Sequence, residues 1–377
     1  MDDVNWADYW WSKITGPREI VASTISALRS KKSAIVVIPH DLPWRHELRR
    51  TVRNSLESIS GLEELIVDPP IDIEDEGLTT VEPGRFLLER YALRSDRANY
   101  RAGGRETIQQ YLLRKEVMRN RLIWVKGFGE HSSEQWIEFC SDWRTKNVSD
   151  GLFVVETCKA PRSARSKRLE IIRYDDVVGE YDIQLFNSLV LSDSRISRLS
   201  DSWKTYAAAI TSRLCGADAE TARKFVEVHD FKKGDPLQTI GILAEEESFA
   251  KRGSGSHVLA LHRSDNTSAL RRRIWEGQIE VLFPIIEQWR LRIIDQYYEQ
   301  FEEQVEIGLN QFGDPVEKPS DIELGTLHYL CVSNRVDMKS SSAKRSVEVL
   351  RECRNQLAHR DLCSAEQVAM LLDGAVQ

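Results

Sequence analysis

Several protein classes are excluded by what this chain is short of. It has 6 cysteines in 377 residues, none in a CxxC pair and none densely spaced, so neither a zinc ribbon nor a disulfide framework is indicated. Cys140, Cys158, Cys215, Cys331, Cys353 and Cys363 read as reduced, mostly buried thiols. No stretch approaches the roughly 20 uncharged apolar residues of a membrane helix. Met1-Asp2-Asp3 opens on acids where a secretory signal carries Lys or Arg, so the expectation is a cytoplasmic location with no membrane partner. The 20 glycines and 11 prolines are too few for a collagen-like or low-complexity chain. Positive charge is not in excess either, with 52 Lys and Arg against 59 Asp and Glu and a net charge of −7. Any nucleic-acid contact must therefore be local.

What is present is a globular composition, 41% hydrophobic and 29% charged, long enough for two or three domains. Trp6, Trp10, Trp11, Trp44, Trp124, Trp136 and Trp143 all precede residue 150 and predict an aromatic-rich N-terminal core. Strands are expected at Ala34 to Ile38, Glu64 to Val67, Leu122 to Val125, Gly151 to Val155 and Leu169 to Ile172. Between them lie helical patterns at Trp44 to Ile59, Phe86 to Leu93, Glu106 to Arg119 and Glu134 to Lys146, with an acidic turn at Asp72 to Gly77. Strands separated by helices imply βαβ crossovers, hence an α/β domain with a parallel sheet.

This order of elements, over about residues 20 to 180, resembles the nucleotide-binding core of the AAA+ and STAND class of P-loop ATPases. The chemistry departs from that family. Such a core needs GxxxxGK[ST] after its first strand, where glycines let backbone N–H groups wrap phosphates. Here the loop reads Pro39-His40-Asp41-Leu42-Pro43-Trp44-Arg45, without glycine, and the third strand runs into Lys126-Gly127 rather than adjacent acids. The expectation is a degenerate P-loop-like domain at 1–180 that serves sensing or assembly, offers a surface to protein partners and holds no cofactor. Arg45, Arg49 and Arg50 read either as a solvated helix face or as a docking patch for an anionic partner.

From Tyr181 onward helical periodicity takes over. Helices are expected at 199–214, 219–228 and 237–246, giving a lid or adaptor at 181–262 that ends in a flexible break at Gly253 to Ser256. The segment 263–377 reads as an all-α bundle. Its long helix runs from about Ala269 to Ile307 and is interrupted or kinked near Pro284. Further helices follow at 322–330 and 343–357, and a last one is capped by Ser364 and Gln367.

The penultimate helix ends in Arg354-Asn355-Gln356-Leu357-Ala358-His359. That string, at a helix end inside an all-helical segment, resembles the signature of the HEPN superfamily, and the resemblance covers about the last 110 residues. It implies metal-independent RNA cleavage, with two copies of the motif brought together across a dimer. On that reading Arg354 grips phosphate oxygens, His359 moves protons and Asn355 orients either group. Arg354 and His359 lie about 140° apart on an ideal helix, so the helix must end near Ala358, or a second copy must complete the site. The alternative is structural, with Arg354 paired to an acid and His359 capping the helix.

Arg271-Arg272-Arg273 with Trp275 offer a candidate RNA contact, against a plain solvated surface. Arg162, Arg165, Lys167 and Arg168 form a second basic cluster. Glu245-Glu246-Glu247 lacks partners at ligand spacing, so no metal site is assigned. The resemblance implies an RNA endonuclease effector of a prokaryotic anti-phage defence or abortive-infection system, with RNA as substrate and a homodimer or larger complex through the C-terminal helices. The competing reading is a non-catalytic scaffold or adaptor of a multiprotein complex.

Overall fold

A computed structural model describes residues 4–59, 61–74, 81–127, 130–160, 166–194, 196, 198–250, 252–311 and 313–374. The chain divides into two units, Met1–Asp182 and Ile183–Gln377. The first is α/β and the second helix-rich; the segments 181–262 and 263–377 both contribute to the latter.

In the first unit, β1 (Ser33–Val37), β2 (Ile66–Val67), β3 (Ile71–Asp72), β4 (Arg121–Lys126), β5 (Leu152–Thr157) and β6 (Leu169–Arg173) form one sheet. Its order is β2-β4-β5-β1-β6, with β3 also pairing β4, and every pairing is parallel. β4 and β5 carry continuous apolar runs because both of their faces are covered. The edge is interrupted. Ile66 pairs Arg121, the ladder lapses over Asp68-Pro69-Pro70, and Ile71 resumes opposite Val125. Proline has no N–H for the ladder, so this break belongs on an edge. The expected turn at Asp72 thus begins with strand, and its residues 75–77 lie outside the described residues.

The tryptophans pack much as the sequence implied. Phe139 and Trp143 meet Phe153 edge-on, at 5.6 and 5.3 Å between ring centroids. Trp6, Trp10, Trp11, Trp124 and Trp136 are also buried, whereas Trp44 is only half-buried. The helix following β1, here the arginine helix, spans Arg45–Glu57 and buries Leu48, Val52 and Leu56.

The helical unit is organised by one long helix, Thr267–Gln296. The Asp201–Cys215 helix packs along it at Gly277, where an added Cβ would stand 2.9 Å from Ile210 Cδ1 and 3.1 Å from Ile210 Cα. The expected interruption at Pro284 does not occur. Proline removes one N–H bond, to the carbonyl of Glu280, and the helix continues past it to Gln296. It ends at Tyr297, before a separate helix Tyr298–Glu306. The Gly253 to Ser256 segment is also tied down. Arg252 and His257, on either side of it, both bond the buried Asp218, at 2.9 and 3.0 Å. Asp218 itself caps the Ala219–Val228 helix. The last helix, Ala365–Leu372, has the capping box of Ser364 and Gln367.

His229 sits in this helical core, stacked on Phe225, edge-on to Phe231 and 2.8 Å from the Thr239 hydroxyl. Burial pushes its pKa from 6.5 down to about 4, against the opposing pull of Asp230 and Asp235. The unfolded chain therefore takes up this proton first. The stability that neutral His229 allows is complete above 6.5 and is lost as pH falls toward 4; at pH 5 the loss is about 2 kcal/mol. Urea unfolding at about pH 7 and about pH 5 should show this drop in the native protein and a smaller one in His229→Gln.

Candidate functional site

The motif helix, Ser341–Ala358, buries Val347, Leu350, Cys353 and Leu357 and ends where the sequence requires it to end. Arg360 takes the left-handed conformation (φ 64°). The Asp361 N–H bonds the Gln356 carbonyl at 2.8 Å, and the Arg360 N–H bonds the Leu357 carbonyl at 3.3 Å, which is a Schellman turn with arginine in place of the usual glycine. Two side chains of the long helix hold this end. The Trp275 indole N–H donates to the Leu357 carbonyl at 2.7 Å. Gln278, buried, donates to the Cys363 carbonyl at 3.1 Å and accepts the Cys363 N–H at 2.8 Å.

With the backbone satisfied in this way, the motif side chains are left over. Arg354 and Asn355 are half-buried and His359 is exposed. Among the described residues, the Arg354 guanidinium makes one long contact, 3.5 Å to Asn355 Oδ1, and the His359 ring makes no side-chain hydrogen bond. Arg354 lines a cleft of about 280 Å³ with Phe283, Glu287, Arg290, Asp321 and Glu323, and forms no ion pair with these acids. His359 does not line that cleft, so one copy of the chain does not bring the two side chains together there. The three acids make the cleft a poor path for a polyanion. The exposed end of the helix, with Arg351, His359 and Arg360, is the more open approach.

The three arginines of the long helix diverge. Arg273 donates to the Leu214 and Ser256 carbonyls at 2.9 and 2.6 Å, and burial lowers its pKa. Arg272 pairs with Glu276 one turn on, at 3.0 Å. Arg271 lines a small cavity of about 140 Å³ beside His229, Gln278 and Cys363. Trp275, a candidate base-stacking residue, uses its N–H on the motif helix instead. Gln278 escaped the sequence reading, although a signal was present. It falls between Ile274 and Leu282 on the apolar stripe, and a polar group there must find partners. Of the second basic cluster, Arg162 and Arg165 lie outside the described residues, and Arg168 bonds the Ser141 carbonyl at 3.1 Å.

In the first unit, the loop after β1 buries Leu42 and Pro43. The Trp11 indole donates to the carbonyls of Pro43 and Trp44 at 3.3 and 3.2 Å. Trp44 then turns the chain in the left-handed region (φ 44°, ψ 53°), at a cost of about 1–2 kcal/mol for a non-glycine residue. Behind the loop lies Glu156, 0% exposed at the end of β5. It accepts from the Trp124 indole at 2.6 Å and from Arg49 Nε at 2.8 Å, and Arg45 Nε stands 3.4 Å away. Burial lowers the pKa of Arg45, and Glu156 opposes that shift. Arg45 and Arg49 are therefore not a solvated face; about four-fifths of each side chain is covered.

No protein-family model matches the chain, and no curated protein matches it. Among the described residues, no group of three or more His, Cys, Asp or Glu is placed to hold a metal ion, and no helix is long and apolar enough to cross a membrane.

The Glu156 cluster makes a direct prediction. Glu156→Ala removes the buried carboxylate that Arg45 and Arg49 share and should destabilise the chain by about 3–5 kcal/mol. A fall in the urea midpoint without a change in slope is the expected result.

Proposed function

We propose that the helical unit is a HEPN-type, metal-independent RNA endonuclease that acts as a two-fold dimer. The observation that carries this reading is the state of the motif. The helix end is satisfied by Trp275, Gln278, the backbone N–H of His359 and a Schellman turn, while the side chains of Arg354, Asn355 and His359 serve neither a cap nor an ion pair. Polar side chains spared from structural work at a fixed helix end are the raw material of a site. The resemblance adds an effector role in anti-phage defence or abortive infection.

RNA brings its own nucleophile. The 2′-hydroxyl attacks the adjacent phosphorus, the P–O5′ bond breaks, and the products carry a 2′,3′-cyclic phosphate and a 5′-hydroxyl. A base takes the proton of the 2′-hydroxyl and an acid donates a proton to the leaving 5′-oxygen, both within reach of an imidazole near neutral pH. One copy offers a single His359 at its motif, so the second copy supplies the complementary proton-transfer group. Arg354 stabilises the charge that builds on the phosphorane, where a fixed guanidinium acts most strongly. Asn355, adjacent to Arg354, orients it.

For the first unit, the buried Leu42 and Pro43 and the proline-bearing loop favour binding or assembly over nucleotide hydrolysis. Backbone N–H groups free to wrap a phosphate are what such a loop must supply, and two prolines remove two of them. A scaffold role for the whole chain is the competing reading, and the same experiment separates the two.

Total RNA incubated in EDTA should be cut by the native chain, while Arg354→Ala and His359→Ala each lose about 100-fold or more in rate. Both substitutions are at solvent-accessible positions and should leave the melting temperature nearly unchanged. Equal RNA integrity for all three folded, dimeric proteins would contradict the nuclease reading and leave the scaffold. Activity abolished by EDTA would contradict the mechanism.

A further inference from the structure

We propose that the first unit binds a phosphate monoester with an apolar body, in the cleft between the arginine helix and the interrupted edge of the sheet. The cleft holds about 360 Å³, within the range of small-ligand sites. Arg49, Arg50 and Arg53 form one wall, at a spacing that puts them on one side of the helix. Val67, Pro69 and Pro70 give the cleft its accessible apolar surface. The site lies apart from the loop after β1, where the family resemblance would place phosphate.

Two of these arginines are aimed by buried carboxylates. Arg49 turns its Nε and Nη2 edge to Glu156, at 2.8 and 3.3 Å. Arg50 turns the same edge to Glu47, at 2.7 and 2.6 Å. Glu156 is 0% exposed and Glu47 3%. In both arginines Nη1 has no hydrogen-bond partner among the described residues. A guanidinium held along one edge by a carboxylate that cannot move, with its other donors unspent in a cleft, is an anion site organised before the anion arrives. Arg53 adds a third charge, because its pair with Glu57 is long, at 3.5 Å, and well exposed on both sides.

Among the described residues, the one acid lining the cleft is matched. Asp68 accepts from Arg121 through both oxygens, at 2.8 and 3.1 Å. Three guanidiniums on one wall suit a dianion with several oxygens better than a monocarboxylate. The Val67 and proline surface suits an apolar body attached to it. The volume limits the ligand to small-molecule size.

Calorimetric titration of the full chain tests this with phenyl phosphate, inorganic phosphate and phenylacetate. Phenyl phosphate should bind with a Kd of about 1 mM or tighter, and both other probes about tenfold or more weaker. Arg53→Gln and Arg53→Ala, at an exposed position that leaves both Glu47 and Glu156 paired, should each weaken phenyl phosphate by about tenfold. Arg119→Gln, on an exposed pair outside the cleft lining, should not. No binding of phenyl phosphate, or binding that both variants leave intact, would overturn the proposal. So would phenylacetate binding equally well. A single-stranded oligonucleotide binding far more tightly, with a steep salt dependence lost in the same variants, would overturn the small-ligand class in favour of a polyanion surface.

Discussion

The polar groups at a helix end must be met by something, and in this chain the answer to that requirement decides what the motif is left to do. The last carbonyls of the motif helix go to Trp275, to the Arg360 N–H and to the Asp361 N–H. Gln278 then fixes the chain beyond it from both sides of one peptide. Had His359 or Arg354 been needed for that work, the Arg-Asn-x-Leu-Ala-His string would be a piece of helix capping. Instead the long helix does the holding and the motif keeps its side chains.

The first unit shows the opposite use of polar groups. There a carboxylate is taken out of water at the end of β5, where the guanidiniums of the arginine helix and the Trp124 indole surround it. Removing one partner from such a cluster is far more damaging than the cluster is stabilising. The cluster ties the arginine helix to the end of β5.

Much of the fold was legible because strands buried on both faces must be apolar throughout; β1, β4 and β5 announce themselves in this way. The edge was read less well, since a two-residue strand on either side of Asp68-Pro69-Pro70 has no periodicity to detect. At Pro284 the helix is not interrupted, since proline costs it a single N–H bond and the turns on either side persist. At the candidate site, Arg354, Asn355 and His359 were visible as a string, and the end of the helix at Ala358 followed from what the chemistry needs. Trp275 and Gln278 were not visible as its holders, because their partners lie about 80 residues further along the chain. The turning of Arg45 and Arg49 toward Glu156 was hidden likewise, since a charged helix face and a buried ion-pair cluster read the same in one dimension.

The central claim is that the exposed end of the motif helix presents a guanidinium and an imidazole to a phosphodiester whose own 2′-hydroxyl is the nucleophile. The most direct measurement is mass spectrometry of the ends generated from a defined short RNA, alongside the same strand with a single 2′-deoxy substitution at the mapped cleavage position. The account predicts a 2′,3′-cyclic phosphate and a 5′-hydroxyl from the first strand and an intact bond in the second. Ends bearing a 3′-hydroxyl and a 5′-phosphate, or cleavage that ignores the missing 2′-hydroxyl, would contradict it.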